Sequence, residues 1–366
     1  MALDLAEVMP YLYYNFMIPL YKPYMPELPE MDAILHSGAL AYGKWGREFE
    51  KRLAEYLGVK QVLLTNSYGL AWQVLFRTLG LEPGNEVIAT PMSCLQSTMP
   101  MAQYGLKTVW ADIDPRYGIL DPESVRSKIT VKTKLIINYH FCGYPGYVDE
   151  IKAIGKEKGI MVVDDCIEAF GAKYKGKRLG NVGTPVSIFN FQTVRLPNTI
   201  EGGALVFEDE VLYNKAVIIR DLGINRSIFR DENGEISAAC DISIPSVNAT
   251  PSDVNSYIGC CQMEHIDDLL QKQTRNAKQW ENKLFDMPSL IDFISRKDTE
   301  PNYWVCGLLS SSKEHDMKMF KEWGYACSAV HLPNTYYSVF GKQEMPKGVA
   351  EFYNKFIALP SGWWME

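Results

Sequence analysis

The chain has 366 residues, with 37 basic against 44 acidic side chains and a formal net charge of −7. Hydrophobic residues make up 47% and charged ones 22%, the balance of an ordinary globular protein that buries its core without disulfide or metal staples. The acidic balance argues against a nucleic-acid backbone as partner, and no apolar run approaches the roughly 20 residues of a membrane span.

At this length two domains are expected. The apolar, aromatic start over residues 8–21 is interrupted by Pro10 and Pro19 and lacks a basic leader, so a signal peptide is not expected. Residues 61–65 predict a strand and 70–79 a helix. Residues 86–90 predict a second strand, followed by a helix near 96–104. Further strands are expected at 108–113, 134–140 and 160–165, with a helix near 148–158, and then at 187–191 and 204–207. This alternation indicates βαβ units and a mainly parallel sheet with helices on both faces, where function gathers at the carboxyl ends of the strands. Beyond residue 245 the pattern changes. Residues 251–284 read as one long helix or two joined helices opened by Ser252, and short strands then mix with helices near 313–323 and 346–356.

Eight cysteines without CxxC spacing read as reduced thiols of a cytoplasmic protein. The segment Gly171-Ala-Lys-Tyr-Lys-Gly-Lys177-Arg178 nearly spells a P-loop, but Arg178 stands where the magnesium-binding hydroxyl belongs and no strand immediately precedes it; a solvated basic hairpin is expected. The five histidines show no ligand spacing and imply no metal. His140, at a predicted strand end, is a core or pocket residue. Asp164-Asp165 closes the apolar strand Gly-Ile-Met-Val-Val, where carboxylates meet a charged ligand group or cap a turn. Asn66-Ser-Tyr-Gly69, between a strand and a helix, offers backbone N–H groups to an anion or serves as an ordinary cap.

Taken together, Gly43-Lys-Trp-Gly-Arg-Glu-Phe-Glu50, Pro83-Gly-Asn-Glu-Val-Ile88, Asp112-Ile-Asp114, His140-Phe-Cys-Gly143, Asp164-Asp-Cys-Ile-Glu-Ala-Phe-Gly-Ala172, Glu201-Gly-Gly203 and Asn248 with Ser252-Asp253 resemble the DegT/DnrJ/StrS-type sugar aminotransferases. The resemblance runs from about Ile18 to Pro360. It implies an α/β fold of the aspartate aminotransferase (fold type I) kind: a large pyridoxal-phosphate-type domain over 18–245, a small α+β domain over 246–366, and an extension over 1–17. Asp165 then falls where the family's aspartate pairs with the pyridine nitrogen. Ser67, Tyr68 and Gly69 stand at the phosphate turn, Cys94 at the ring-stacking aromatic, and Glu168 beside the ring hydroxyl. Asn190 takes a phosphate-contact position, and Asn248 a position that reaches the phosphate of a neighbouring subunit, which implies a homodimer.

The departures from the family pattern cluster in this pocket. Six residues before Glu201-Gly-Gly203, where the family carries its Schiff-base lysine, stands Arg195, whose guanidinium stays charged and cannot attack an aldehyde. The Ser-Gly-Thr turn reads Ser67-Tyr68-Gly69, the stacking aromatic is Cys94, and the usual Gln or His is Glu168. Several changes in one pocket indicate natural divergence rather than an engineered knockout. The first expectation is a homologue acting on a nucleotide-linked keto or amino sugar, holding pyridoxal or pyridoxamine phosphate non-covalently if at all. Glu168 or His140 would then move the proton, and Arg195 and His331 would contact the sugar. A sugar dehydratase running on pyridoxamine phosphate belongs to the same class. The alternatives are a non-catalytic homologue that serves as binding subunit or partner of an active paralogue, and a B6-independent enzyme using Cys94, Cys166, Glu168, Arg195 and His331.

Overall fold

A computed structural model describes residues 17–365. The extension over residues 1–17 therefore lies almost wholly outside the described residues. Seven strands form the central sheet: β1 Gln61–Thr65, β2 Glu86–Ala89, β3 Lys107–Trp110, β4 Thr133–Tyr139, β5 Met161–Asp165, β6 Val186–Asn190 and β7 Gly203–Phe207. Their spatial order is β1-β7-β6-β5-β4-β2-β3. β7 runs antiparallel to both of its neighbours and every other pairing is parallel. The inner strands read as continuous apolar runs because helices cover both faces of the sheet. β6 and β7 are buried at every position.

The helix Tyr68–Thr78 is buried nearly all round, with Ala71, Trp72, Val74, Leu75 and Phe76 fully covered. The helix Lys44–Leu57, which the sequence reading did not single out, buries Phe49, Leu53 and Leu57 at four-residue spacing as one apolar stripe. The helices Pro122–Lys128 and Glu210–Arg220 were likewise unanticipated. Residues 251–284 resolve into two helices, Asp253–Met263 and Ile266–Leu284, the first capped by the Ser252 hydroxyl. A smaller antiparallel sheet of β8 Leu290–Phe293, β9 Cys306–Ser310 and β10 Phe356–Leu359 follows.

Two local expectations can be compared with the backbone. The strand expected at 108–113 stops at Trp110, because the Asp112 carboxylate accepts from the N–H groups of Ile113, Gly348 and Val349 and turns the chain out of the sheet. The basic segment forms a hairpin, Lys173–Tyr174 against Lys177–Arg178, with Lys175 and Gly176 both at positive φ in the tight turn. No helix among the described residues is long and apolar enough to cross a membrane.

Candidate functional site

Strand geometry separates the two aspartates at the end of β5, since successive side chains point to opposite faces. Asp164 accepts from Asn138 Nδ2 at 2.9 Å and from the Thr184 hydroxyl at 2.6 Å, and His140 Nε2 lies 3.3 Å from it. Asp165 faces the start of the helix Tyr68–Thr78. Its Oδ1 accepts from the Tyr68 hydroxyl at 2.6 Å and from the Ile167 N–H at 3.1 Å, while its buried Oδ2 has no partner among the described residues. Burial raises the Asp165 carboxyl to about 6, although hydrogen bonds from Ser97, Tyr68 and Ile167 hold it down.

Tyr68 is the first residue of its helix, and Ser67 before it caps that helix by accepting from Leu70 N–H at 3.2 Å. The chain approaches β7 closely here. A Cβ on Gly203 would lie 2.9 Å from Tyr68 Cα, so only glycine fits. From this position the Tyr68 side chain runs inward, edge-on to Trp72, and its hydroxyl reaches both Asp165 and, at 3.1 Å, Ser97. It is 2% exposed.

A second cluster surrounds Glu168. Its Oε1 lies 2.9 Å from His331 Nε2 and 3.5 Å from Arg195 Nη2. Its Oε2 accepts from the Tyr139 hydroxyl and the Cys142 N–H, both at 2.9 Å. Burial pushes the Glu168 carboxyl up, but His331, Arg195 and Tyr139 outweigh burial and hold it below its ordinary value. Arg195 is buried, with the face of Trp304 4.4 Å from the guanidinium. The ligand atoms of Cys94, Glu168 and His331 lie within 4.8 Å of one another, a spacing a metal ion tolerates. The adjacent guanidinium works against a divalent cation there, and burial together with Glu168 pushes the Cys94 thiol up to about 11. Cys142 and Cys166 are pushed up by burial as well, so none of these thiols is activated as a nucleophile.

Of the residues singled out by sequence, Tyr68, Asp165, Cys94, Glu168, Arg195 and His331 thus line one buried region. His140 does not join Glu168. Its Nδ1 accepts from the Gly146 N–H at 2.8 Å and its other nitrogen faces Asp164, which places it in a buried network at the carboxyl ends of β4 and β5. Asn190 donates to Gln96 Oε1 at 3.0 Å and accepts from Gln192 N–H. Asn248 lies beside the helix start of its own chain, its carbonyl 3.4 Å from Asn66 Nδ2. Gly69 has open space where a Cβ would stand. Sequence reasoning missed Tyr139, Ser97, Tyr21 and Trp304. The first two sit at a strand end and in a first helical turn, positions that carried a signal. Tyr21 and Trp304 enter from distant segments that carried none.

A family model described as the DegT/DnrJ/EryC1/StrS aminotransferase family matches residues 25–365. The chain belongs to that family. It is 24% identical over 360 residues to the spore coat polysaccharide biosynthesis protein SpsC of Bacillus subtilis, covering 94% of this chain and 92% of SpsC. Its fold matches that of the sugar aminotransferase CalS13 from Micromonospora echinospora with a TM-score of 0.89 at 26% identity, covering 96% of each chain. It also matches the E. coli GDP-4-keto-6-deoxy-D-mannose-3-dehydratase with a TM-score of 0.83 at 21% identity, covering 95% of this chain and 96% of that one, a likeness of fold. The DegT-type architecture is that of fold type I, α/β with a mostly parallel central sheet.

The DegT family implies a pyridoxal-type cofactor, and the side chains present do not fit its covalent attachment. Asp165 is buried; its Oδ1 is engaged by Tyr68, while its Oδ2 has no partner among the described residues and is the oxygen left to meet a ring nitrogen. The position expected to carry the Schiff base holds a buried guanidinium beside Glu168.

Proposed function

We propose that this DegT-family chain is a non-catalytic homologue in sugar or polysaccharide biosynthesis, serving as a binding subunit or partner of a lysine-bearing paralogue. The observation that carries the reading is the Tyr68 hydroxyl on Asp165 at 2.6 Å. A phenol, like a protonated ring nitrogen, offers a hydrogen to a carboxylate, so Tyr68 competes with a ring for Asp165. Sequence alone ranks a non-covalent B6 enzyme first. Tyr68 weighs toward the non-catalytic reading, because its hydroxyl already takes one oxygen of the acid that would hold the ring nitrogen. Arg195 adds a second, independent loss, since its guanidinium neither forms a Schiff base nor serves as a base near neutral pH. The raised thiols of Cys94 and Cys166 weigh against the B6-independent enzyme in its cysteine form.

The test uses two variants, Arg195→Lys and Arg195→Lys combined with Tyr68→Gly, each incubated with pyridoxal phosphate, reduced with borohydride and weighed by mass spectrometry. The double variant is expected to gain one covalent adduct and the single variant none. A stoichiometric adduct on Arg195→Lys alone would show that Tyr68 does not close the pocket.

A further inference from the structure

A groove of about 630 Å³ lies between the helix Ile266–Leu284 and the basic hairpin, with residues 299–303 along its base. The helix brings Arg275 and Lys278 to it, three positions apart and therefore neighbours on one face. The hairpin brings Lys173 and Arg178. Against these four cations the groove sets two acids, Asp267 and Glu300, in a chain whose net charge is −7. Its walls are tied together. Gln273 Nε2 donates to the carbonyl of buried Asn302 at 2.7 Å, and Asn302 Nδ2 donates to the Glu168 and Phe170 carbonyls at 2.8 and 3.0 Å. Thr299–Glu300 pairs antiparallel with Lys173–Tyr174 of the hairpin. Arg178 is fixed in place, its guanidinium 4.0 Å over the Tyr56 ring and its Nη1 donating to the Tyr56 carbonyl at 3.0 Å. Its Nη2 comes only to 3.8 Å from Asp267, beyond hydrogen-bonding range. The other ion pairs, Lys173 with Glu300 at 2.9 Å and Lys278 with Glu281 at 2.6 Å, sit at the surface, where such pairs are weak and open to exchange.

We infer that this groove is a binding site for a compact oligophosphate, an anion of the pyrophosphate or tripolyphosphate kind. Three features select that class. The volume falls within the roughly 300–1,000 Å³ that holds one small ligand, and a single orthophosphate would leave most of it to water. Four cations against two acids leave an excess of two positive charges, which calls for an anion carrying at least two negative ones. The cations enter from two facing walls, hairpin and helix, so the ligand must present oxygens in several directions. Tetrahedral phosphate groups do so, whereas a planar carboxylate offers two oxygens in one plane. Arginine meets phosphate with a fork of donors and lysine as a point charge, and the groove holds two of each. Asp267 and Glu300 oppose the anion and set its affinity, each by holding a cation that the phosphate would take over. The inference does not depend on whether the central pocket holds a cofactor, since none of the four cations belongs to it.

Calorimetric titration of the full chain with tripolyphosphate, pyrophosphate, orthophosphate and citrate, in buffer free of divalent cations, tests it. Tripolyphosphate is expected to bind saturably, pyrophosphate more weakly, and orthophosphate and citrate more weakly still. Raising sodium chloride from about 50 to about 300 mM should weaken tripolyphosphate, as screening requires at an open site. Arg275→Ala combined with Lys278→Ala, both exposed changes on the helix, should weaken it by roughly tenfold or more. Glu300→Gln should tighten it severalfold by releasing Lys173, a gain that general damage to the fold would not produce. The inference is overturned if tripolyphosphate gives no saturable heat at millimolar concentration, if citrate binds as tightly, or if the double substitution leaves binding unchanged.

Discussion

Asp165 holds its charge at a cost. Its carboxyl is raised from 3.8 to about 6, chiefly by burial, which amounts to about 3 kcal/mol of differential interaction. Because the folded-state value lies above the unfolded one, the associated stability is fully present below the unfolded value and is lost as pH rises through about 6. Asp165→Asn removes that loss while keeping an acceptor for Tyr68. The variant is therefore expected to be more stable than the parent by up to about 3 kcal/mol near pH 8 and by little near pH 4, measured by urea unfolding at both. Glu168 behaves in the opposite sense, since His331 and then Arg195 hold its carboxyl below its ordinary value. Glu168→Gln leaves the buried guanidinium without its anion and is expected to destabilise the fold by about 3 kcal/mol in the same assay at neutral pH.

The helix Tyr68–Thr78 and the strand β7 set the place of the Tyr68 hydroxyl at the level of elements. The Ser67 cap fixes where the helix begins, and Gly203 lets that first turn press against the sheet. Ser67→Ala should cost about 1 kcal/mol in denaturant unfolding. Gly203→Ala should cost about 1–3 kcal/mol, because the new methyl meets backbone atoms that cannot swing aside. These elements were largely legible in the sequence. The strand expected at 61–65 coincides with β1, and the other strands of the central sheet start or end close to where the apolar runs do, because buried parallel strands leave an unbroken hydrophobic signature. The helix Glu210–Arg220 escaped notice, since its apolar face is short and flanked by charge.

Across the whole molecule, what sequence could not supply was the meeting of distant residues. Asp165 was marked from its strand end and from the family resemblance, and Arg195 from its place before Glu201-Gly-Gly203. Tyr68 registered only as a departure from a phosphate turn, because an aromatic in a first helical turn usually serves the core. Only the sheet order, which brings β1, β7, β6 and β5 side by side, carries the Tyr68 hydroxyl to an acid 97 positions away. Likewise Tyr21, near the start of the described chain, meets Trp304 from the small antiparallel sheet's approach. The DegT-type scaffold is thus retained throughout, while Tyr68 and Arg195 stand at its centre beside Asp165 and Glu168. The most direct measurement is equilibrium titration of the unaltered protein with pyridoxal phosphate and with pyridoxamine phosphate, followed by absorbance and calorimetry. The account predicts no saturable binding of either compound; stoichiometric uptake of one of them, with Tyr68 in place, would contradict it.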